Sequence, residues 1–155
     1  MPPEIYGFLI IIFALCGFSL SIYIHRTKKK GKSLVCPLDG ACDFVTRSEY
    51  SIIFDIPVEE LGVFYYATMA LIYSLAIFGP ASFYAPAIFV GAALSAAGFI
   101  MSIYFTWLQA AVMKKWCTLC ATSAFLTVLI FSCAFLGFWP TVISFLSLCV
   151  ALISR

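Results

Sequence analysis

Charge is what this sequence has least of. Only 10% of its 155 residues are charged, against 64% that are hydrophobic, and the mean hydropathy is +1.09. A soluble domain carries roughly 25% charged residues, so a soluble globular fold is excluded. Net charge is +2, too small to imply a nucleic-acid partner. There is one histidine, His25, and it falls at the end of an apolar run beside Arg26, where it reads as an interfacial residue rather than a catalytic base. Repeated ten-residue stretches of polar-apolar alternation are absent, which removes a membrane β-barrel. Internal repeats are also absent, and so is low-complexity sequence beyond Lys28 to Lys30. The first apolar run is followed by His25-Arg26 and KKKGK rather than by a small-residue cleavage pattern, so it reads as a retained span and not a signal peptide.

What is present is length in the apolar runs. Uncharged sequence extends from Ile5 to Ile24, from Leu61 to Met113 and from Trp116 to Ser154. About 18 such residues suffice for a membrane-crossing helix. The second run is too long for one crossing, and GPASFYAP (Gly79 to Pro86) supplies breakers, because the residue before a proline is pushed out of helical geometry. The third run divides at GFWP (Gly137 to Pro140). Spans are expected at about 5–24, 61–78, 87–109, 117–136 and, shorter, 141–154, the last spanning thinly or lying against the bundle. In lipid the backbone must satisfy itself, so these are helices. The expected fold is one all-α polytopic membrane domain: a four-helix bundle core, a capping extramembrane loop and a fifth peripheral helix.

The capping loop, about 26–60, holds six of the nine Lys and Arg, six of the seven acids and two cysteines. Short helices at the interface are expected within it. Asp55-Ile56-Pro57 followed by Glu59-Glu60 reads as a helix start, with a capping Asp, an early Pro and acids in the first turn. Lys28 to Lys30 read as lipid headgroup contacts. Trp107, Trp116, Trp139, Tyr65 and Tyr66 suit an aromatic belt at the span ends.

Cysteines carry the chemistry. Following the chain across the membrane puts Cys36, Cys42, Cys117 and Cys120 on one face, whereas Cys16, Cys133 and Cys149 lie inside apolar runs and read as small hydrophobes. KKWCTLCA (Lys114 to Ala121) places a Cys-x-x-Cys pair where a span begins. A helix N-terminus and nearby cations both lower a thiol pKa toward neutrality, and Cys117 has Lys114 and Lys115 before it. Cys120 lies one turn deeper, so this pair could pass electrons between an aqueous dithiol and a lipid-soluble acceptor. Cys36 and Cys42 could open and close in the same manner, or brace the loop permanently. Zinc is a further option: Cys-x2-Cys has usual ligand spacing and Cys-x5-Cys does not. A redox protein, a scaffold with static cysteines and a metal-binding module therefore all stand at this point.

Cys36 to Tyr66 (CPLDGACDFVTRSEYSIIFDIPVEELGVFYY), WCTLC (Trp116 to Cys120) and SIYIHRTK after the first span together resemble the vitamin K epoxide reductase family in its prokaryotic, quinone-linked form. The order is Cys-x5-Cys, Ser-x-Tyr-Ser, Ile-Pro, then Cys-x-x-Cys; quinone reductases that place the Cys-x-x-Cys first are a poorer match. The resemblance implies a four-helix bundle around a quinone with the loop as a lid. It implies that Cys117 and Cys120 are the active pair, with Cys120 nearest the quinone, and that Cys36 and Cys42 are a shuttle pair. Cys36 would meet the partner and Cys42 would exchange with Cys117. Ser48 matches a hydroxyl of the family motif, and Ser48, Glu60 and Tyr66 are the candidate quinone contacts. No metal is expected. Animal members hold the vitamin K head with an Asn and a Tyr; gapless matching puts Val58 and Ala124 there, which favours plain quinone reduction over epoxide reduction. Many bacterial members carry a fused thioredoxin-like domain; this sequence ends at Arg155, so a separate thioredoxin-fold protein is the expected electron donor, with membrane lipid and quinone as the other partners. The Lys and Arg bias places the cysteines in the cytoplasm, whereas the resemblance places them outside, where disulfides persist; the outward orientation is the one adopted.

Overall fold

The computed structural model describes residues 3–36, 41–53 and 55–153; beyond residue 137 the surroundings of only four side chains are described, those of 139, 143, 147 and 150. Four helices are long and apolar enough to cross a membrane: Glu4–Lys29, Val58–Phe78, Ala81–Met113 and Thr118–Gly137. They belong to α1 (Pro3–Lys29), α3 (Val58–Phe78), α4 (Ala81–Trp107, prolonged by a π-helical turn, Leu108–Met113) and α5 (Thr118–Ile153). α1 packs on α3 and α5, and α4 packs on the same two. The bundle is thus a ring of four in which α1 and α4 stand diagonally apart. Its centre holds Ile10, Ala14, Tyr66, Met69, Tyr73, Ile88, Ile130 and Ala134. This all-α polytopic architecture is the one the apolar runs imply.

Local sequence accounts for the helix ends. Arg26, Lys28 and Lys29 occupy the last turn of α1, where cations meet the negative end of the helix dipole. Gly31 then adopts φ +66°, its amide bonds to the Lys28 carbonyl at 3.0 Å, and the Lys32 amide bonds to the Thr27 carbonyl at 3.2 Å. This paired closure depends on a glycine in the left-handed region.

Three boundaries differ from expectation. The third span starts at Ala81, not near residue 87, because Pro80 is the effective breaker: it holds Gly79 extended (ψ 178°) and is itself the cap of α4. Pro86 lies early inside α4, where it forgoes an amide bond without ending the helix. No turn separates the fourth span from residues 141–153: α5 continues through Gly137 and Pro140, so the fifth segment is a helical extension of the fourth. Gly137 is small for packing rather than turning, since a Cβ there would stand 2.6 Å from Tyr6 on α1. Finally, Asp55 caps nothing. Ile52–Ile53 (β1) pairs antiparallel with Ile56–Pro57 (β2), and Asp55 takes φ 64° in the short connection. Pro57 is the cap of α3 and makes no side-chain cap bond, although Glu59 and Glu60 do occupy its first turn. The lid otherwise contains one short helix, α2 (Cys42–Thr46), and a 3-10 turn, Glu49–Ser51.

Candidate functional site

The lid is anchored through its cysteines. Cys36 and Cys42 are disulfide-bonded, with Cα atoms 5.7 Å apart, and the Cys42 amide donates to Cys36 Sγ at 3.1 Å. Asp43, beside them, accepts from the Leu34 amide at 3.2 Å and from Arg47 Nε at 2.9 Å. Arg47 in turn donates to the Lys32 carbonyl, so α2 is tied to the chain leaving α1. The Arg47 hydrogen bond is the chief reason the Asp43 carboxyl sits below its ordinary range, helped by the Leu34 amide. The CPLDGAC turn lies largely in residues 37–40, outside the described residues.

Two contacts bracket Cys117. The Ala41 amide donates to the Trp116 carbonyl at 3.0 Å, and Cys42 Sγ lies 3.6 Å from Thr118 Oγ1. Cys42 and Cys117 are both buried, in a common apolar cluster with Ile24, Leu34, Val45 and Leu119, against which Cys36 and Cys120 also pack. All four cysteines picked out from the sequence are therefore together. Cys36 is half-buried, Cys42 and Cys117 are inside, and Cys120 is half-buried on the far side.

Cys117 is the residue before α5, and its carbonyl accepts the first helical bond, from the Ala121 amide. Its sulfur accepts from the Cys120 amide at 3.3 Å, so it takes the place of a capping side chain. The Cys117 thiol is lowered from 9.0 to about 7, first by the Cys120 thiol, against the opposing effect of burial, and then by the amides of Cys120 and Leu119. Hydrogen bonds produce this shift, not Lys114 and Lys115. The segment before it is unusual. The π turn ends at Lys114 in the left-handed region (φ 49°), a conformation that costs a non-glycine residue roughly 1–2 kcal/mol. Gln109 in that turn is buried and accepts the Cys117 amide on Oε1 at 3.1 Å. A single glutamine in a long apolar run is the signal that could have identified it from sequence.

Beyond Cys120 opens a cavity of about 370 Å³, bounded by the lid and all four spans. Its walls are mainly apolar, and it falls in the size range of small-molecule sites. Cys120 lines it and Cys117 does not. Val58 and Ala124, the positions matched to the animal polar handles, both line it, so the loss of those handles concerns this cavity directly. Tyr66 lines it too; the ring is buried and the hydroxyl is shared with Ser123 and Thr127 at 2.8 and 3.1 Å. Tyr65 lines the same wall, so the two tyrosines belong to the interior rather than to an aromatic belt. Trp107, Trp116 and Trp139 are exposed, as a belt requires.

Ser48 and Glu60 are not brought to the cavity. Ser48 Oγ donates to the Val45 carbonyl at 2.7 Å, which braces the end of α2. Glu60 faces outward and lies 3.5 Å from His25 Nδ1. Its neighbour Glu59 is the carboxylate that lines the cavity. Glu59 is 2.6 Å from Lys28 Nζ, and Lys28 also donates to the Thr46 carbonyl at 2.8 Å. Lys28 is thus an internal tie rather than a headgroup contact, and periodicity gave no sign of it. Cys16 is exposed on the bundle surface and Cys133 is partly buried; the side chain of Cys149 lies outside those described. Among the described residues no three His, Cys, Asp or Glu side chains converge as a metal set.

A family model, that of the vitamin K epoxide reductase family, matches residues 8–135. That interval runs from the first span through most of α5 and includes the lid, the four cysteines and the cavity. No individual curated protein matches the chain. Covering most of the sequence, the match shows that this chain belongs to the vitamin K epoxide reductase family, membrane oxidoreductases that act with quinones.

Proposed function

We propose that the protein is a thiol-disulfide oxidoreductase that takes electrons from a thioredoxin-fold partner and delivers them to a membrane quinone, so supporting disulfide formation in other proteins. The observation that carries this reading is the bracketing of Cys117 by Cys42 on one side and the cavity-lining Cys120 on the other. A partner thiolate attacks Cys36, breaking the Cys36–Cys42 bond and releasing Cys42 as a thiolate; the partner's second thiol resolves the mixed disulfide and leaves with the partner oxidised. Cys42 then attacks Cys117 of an oxidised Cys117–Cys120 pair, Cys120 leaves, and Cys36 closes back on Cys42. This leaves Cys36 and Cys42 bonded and Cys117 and Cys120 as thiols.

Cys120 next adds to the quinone ring. Cys117 attacks the Cys120 sulfur, the carbon–sulfur bond breaks, and the disulfide re-forms. Two electrons leave with the quinol, and its two protons balance those of the dithiol. The Cys120 and Leu119 amides, which also lower the Cys117 thiol, are still present in the Cys120 adduct and favour the Cys117 thiolate for the resolving attack. A quinone whose potential lies above the partner's pulls the sequence forward, about 1.4 kcal/mol for each 30 mV.

The test is a Cys120→Ser variant of the purified protein, assayed with a dithiol donor and a quinone. Quinone reduction should stop and the partner should stay reduced; normal turnover would overturn the assignment. We place the site on the outer face of the membrane. Labelling of Cys36 by a membrane-impermeant thiol reagent in intact, reduced cells checks that, and protection of Cys36 would reverse it.

A further inference from the structure

The cavity beside Cys120 has a polar group that finds no hydrogen-bond partner among the described residues. Tyr65 lines its wall, and the Tyr65 hydroxyl is buried without a hydrogen-bond partner among the described residues. A buried hydroxyl left unmatched costs stability, so its presence calls for an explanation. Three of the other polar groups that line the cavity are committed elsewhere. Tyr66 is shared with Ser123 and Thr127, Glu59 is held by Lys28, and Thr106 donates to the Ser102 carbonyl. The phenol of Tyr65 lies across Gly98, where a Cβ would come within 2.6 Å of the hydroxyl oxygen. The helix therefore leaves room for this ring.

We infer that the Tyr65 hydroxyl is the polar handle of the cavity, donating its hydrogen to a ring carbonyl oxygen of a 1,4-quinone whose carbon skeleton lies against the apolar wall and Cys120. The inference rests on the quinone reading above and deepens it. Val58 and Ala124 offer this ring no polar contact, and rotation about one C–O bond aims the phenol hydrogen at an acceptor. By holding one ring oxygen, Tyr65 keeps the ring in the cavity beside the thiol, a contact made equally before and during the reaction.

The experiment compares wild type with Tyr65→Phe as full-length protein in lipid nanodiscs. The probes are 2-methyl-1,4-naphthoquinone and its carbonyl-free counterpart, 2-methylnaphthalene. Tyr65→Phe should raise KM for the quinone roughly three- to tenfold, the weight of one hydrogen bond. It should leave kcat within about twofold and leave inhibition by the hydrocarbon unchanged. Because the hydroxyl has no hydrogen-bond partner among the described residues, the melting temperature of Tyr65→Phe alone should equal or exceed that of wild type, while its shift on adding the quinone should shrink. An unchanged KM and quinone-induced shift in a wild type that turns over would overturn this inference and leave the proposed function standing. Equal loss for quinone and hydrocarbon would overturn it as well, by showing a change of shape rather than of hydrogen bonding. A wild type that neither binds nor reduces the quinone would overturn both.

Discussion

Cys117 does the work of a capping residue and of a thiol at once. Its sulfur accepts the amide one turn on, and its own amide is taken up by Gln109. With its thiol at about 7 rather than 9.0, the thiolate population grows as pH rises through neutrality and is lost below it. Exchange by the reduced pair should therefore accelerate from about pH 6 to about pH 8 and then level off. The check is a titration of ultraviolet thiolate absorbance, with Cys117→Ser as the subtracted reference; a midpoint near 9 would contradict the account in which the Cys120 thiol, and then the Cys120 and Leu119 amides, stabilise the thiolate. Gln109→Leu removes the acceptor of a buried amide. A loss of about 1–3 kcal/mol in stability is expected, together with slower quinone reduction, measured by denaturation in detergent and by turnover.

At this scale the sequence was informative wherever chemistry rests on residue type and spacing, as with the four cysteines. It marked Gln109 as a lone glutamine in an apolar run without showing its partner, gave Glu59 only a place in a first turn and misread Lys28 as a headgroup contact, because their roles come from contacts across the fold. It misplaced Ser48 and Glu60 for the same reason: one residue of helical rotation separates Glu60, facing outward, from Glu59, facing the cavity.

Among the elements, the joint that matters most is where α1 ends, α3 begins and the last residue of α2, Thr46, offers its carbonyl. Lys28 supplies it, bridging Glu59 and the Thr46 carbonyl from a largely buried position. Breaking one side of such a pair strands a charge. Lys28→Met should cost about 3–5 kcal/mol and loosen the lid, whereas the double change with Glu59→Leu should recover most of that loss; thermal denaturation of the three variants measures it. Packing between spans is equally local. A Cβ at Gly17 on α1 would strike the Tyr66 ring on α3, so Gly17→Ala should cost about 1–3 kcal/mol of stability through overpacking and lower the melting temperature accordingly. Long apolar runs revealed these helices, but not where they stop. Two prolines compete for the start of α4, and the one after Gly79 prevails because it holds that residue extended and is itself the cap of the new helix. At Gly137–Pro140 the turn signal fails, since the glycine is used for contact with Tyr6 and a helix in lipid can carry a proline.

For the whole molecule, a ring of four spans encloses one apolar centre and leaves, toward the lid, a second cluster that contains the sulfurs and the cavity beside them. The bundle and its cap follow from hydropathy and loop composition alone; the depth of Cys42 and Cys117 does not, because burial beneath a lid leaves no periodic trace. The central claim is that the lid pair and the span pair exchange electrons directly. The most direct measurement is disulfide mapping by mass spectrometry of full-length Cys36→Ser/Cys120→Ser protein after mild oxidation in membranes. The account predicts a Cys42–Cys117 bond within one chain. Cys42 and Cys117 recovered unlinked, or linked only to Cys16, Cys133 or Cys149, would contradict it.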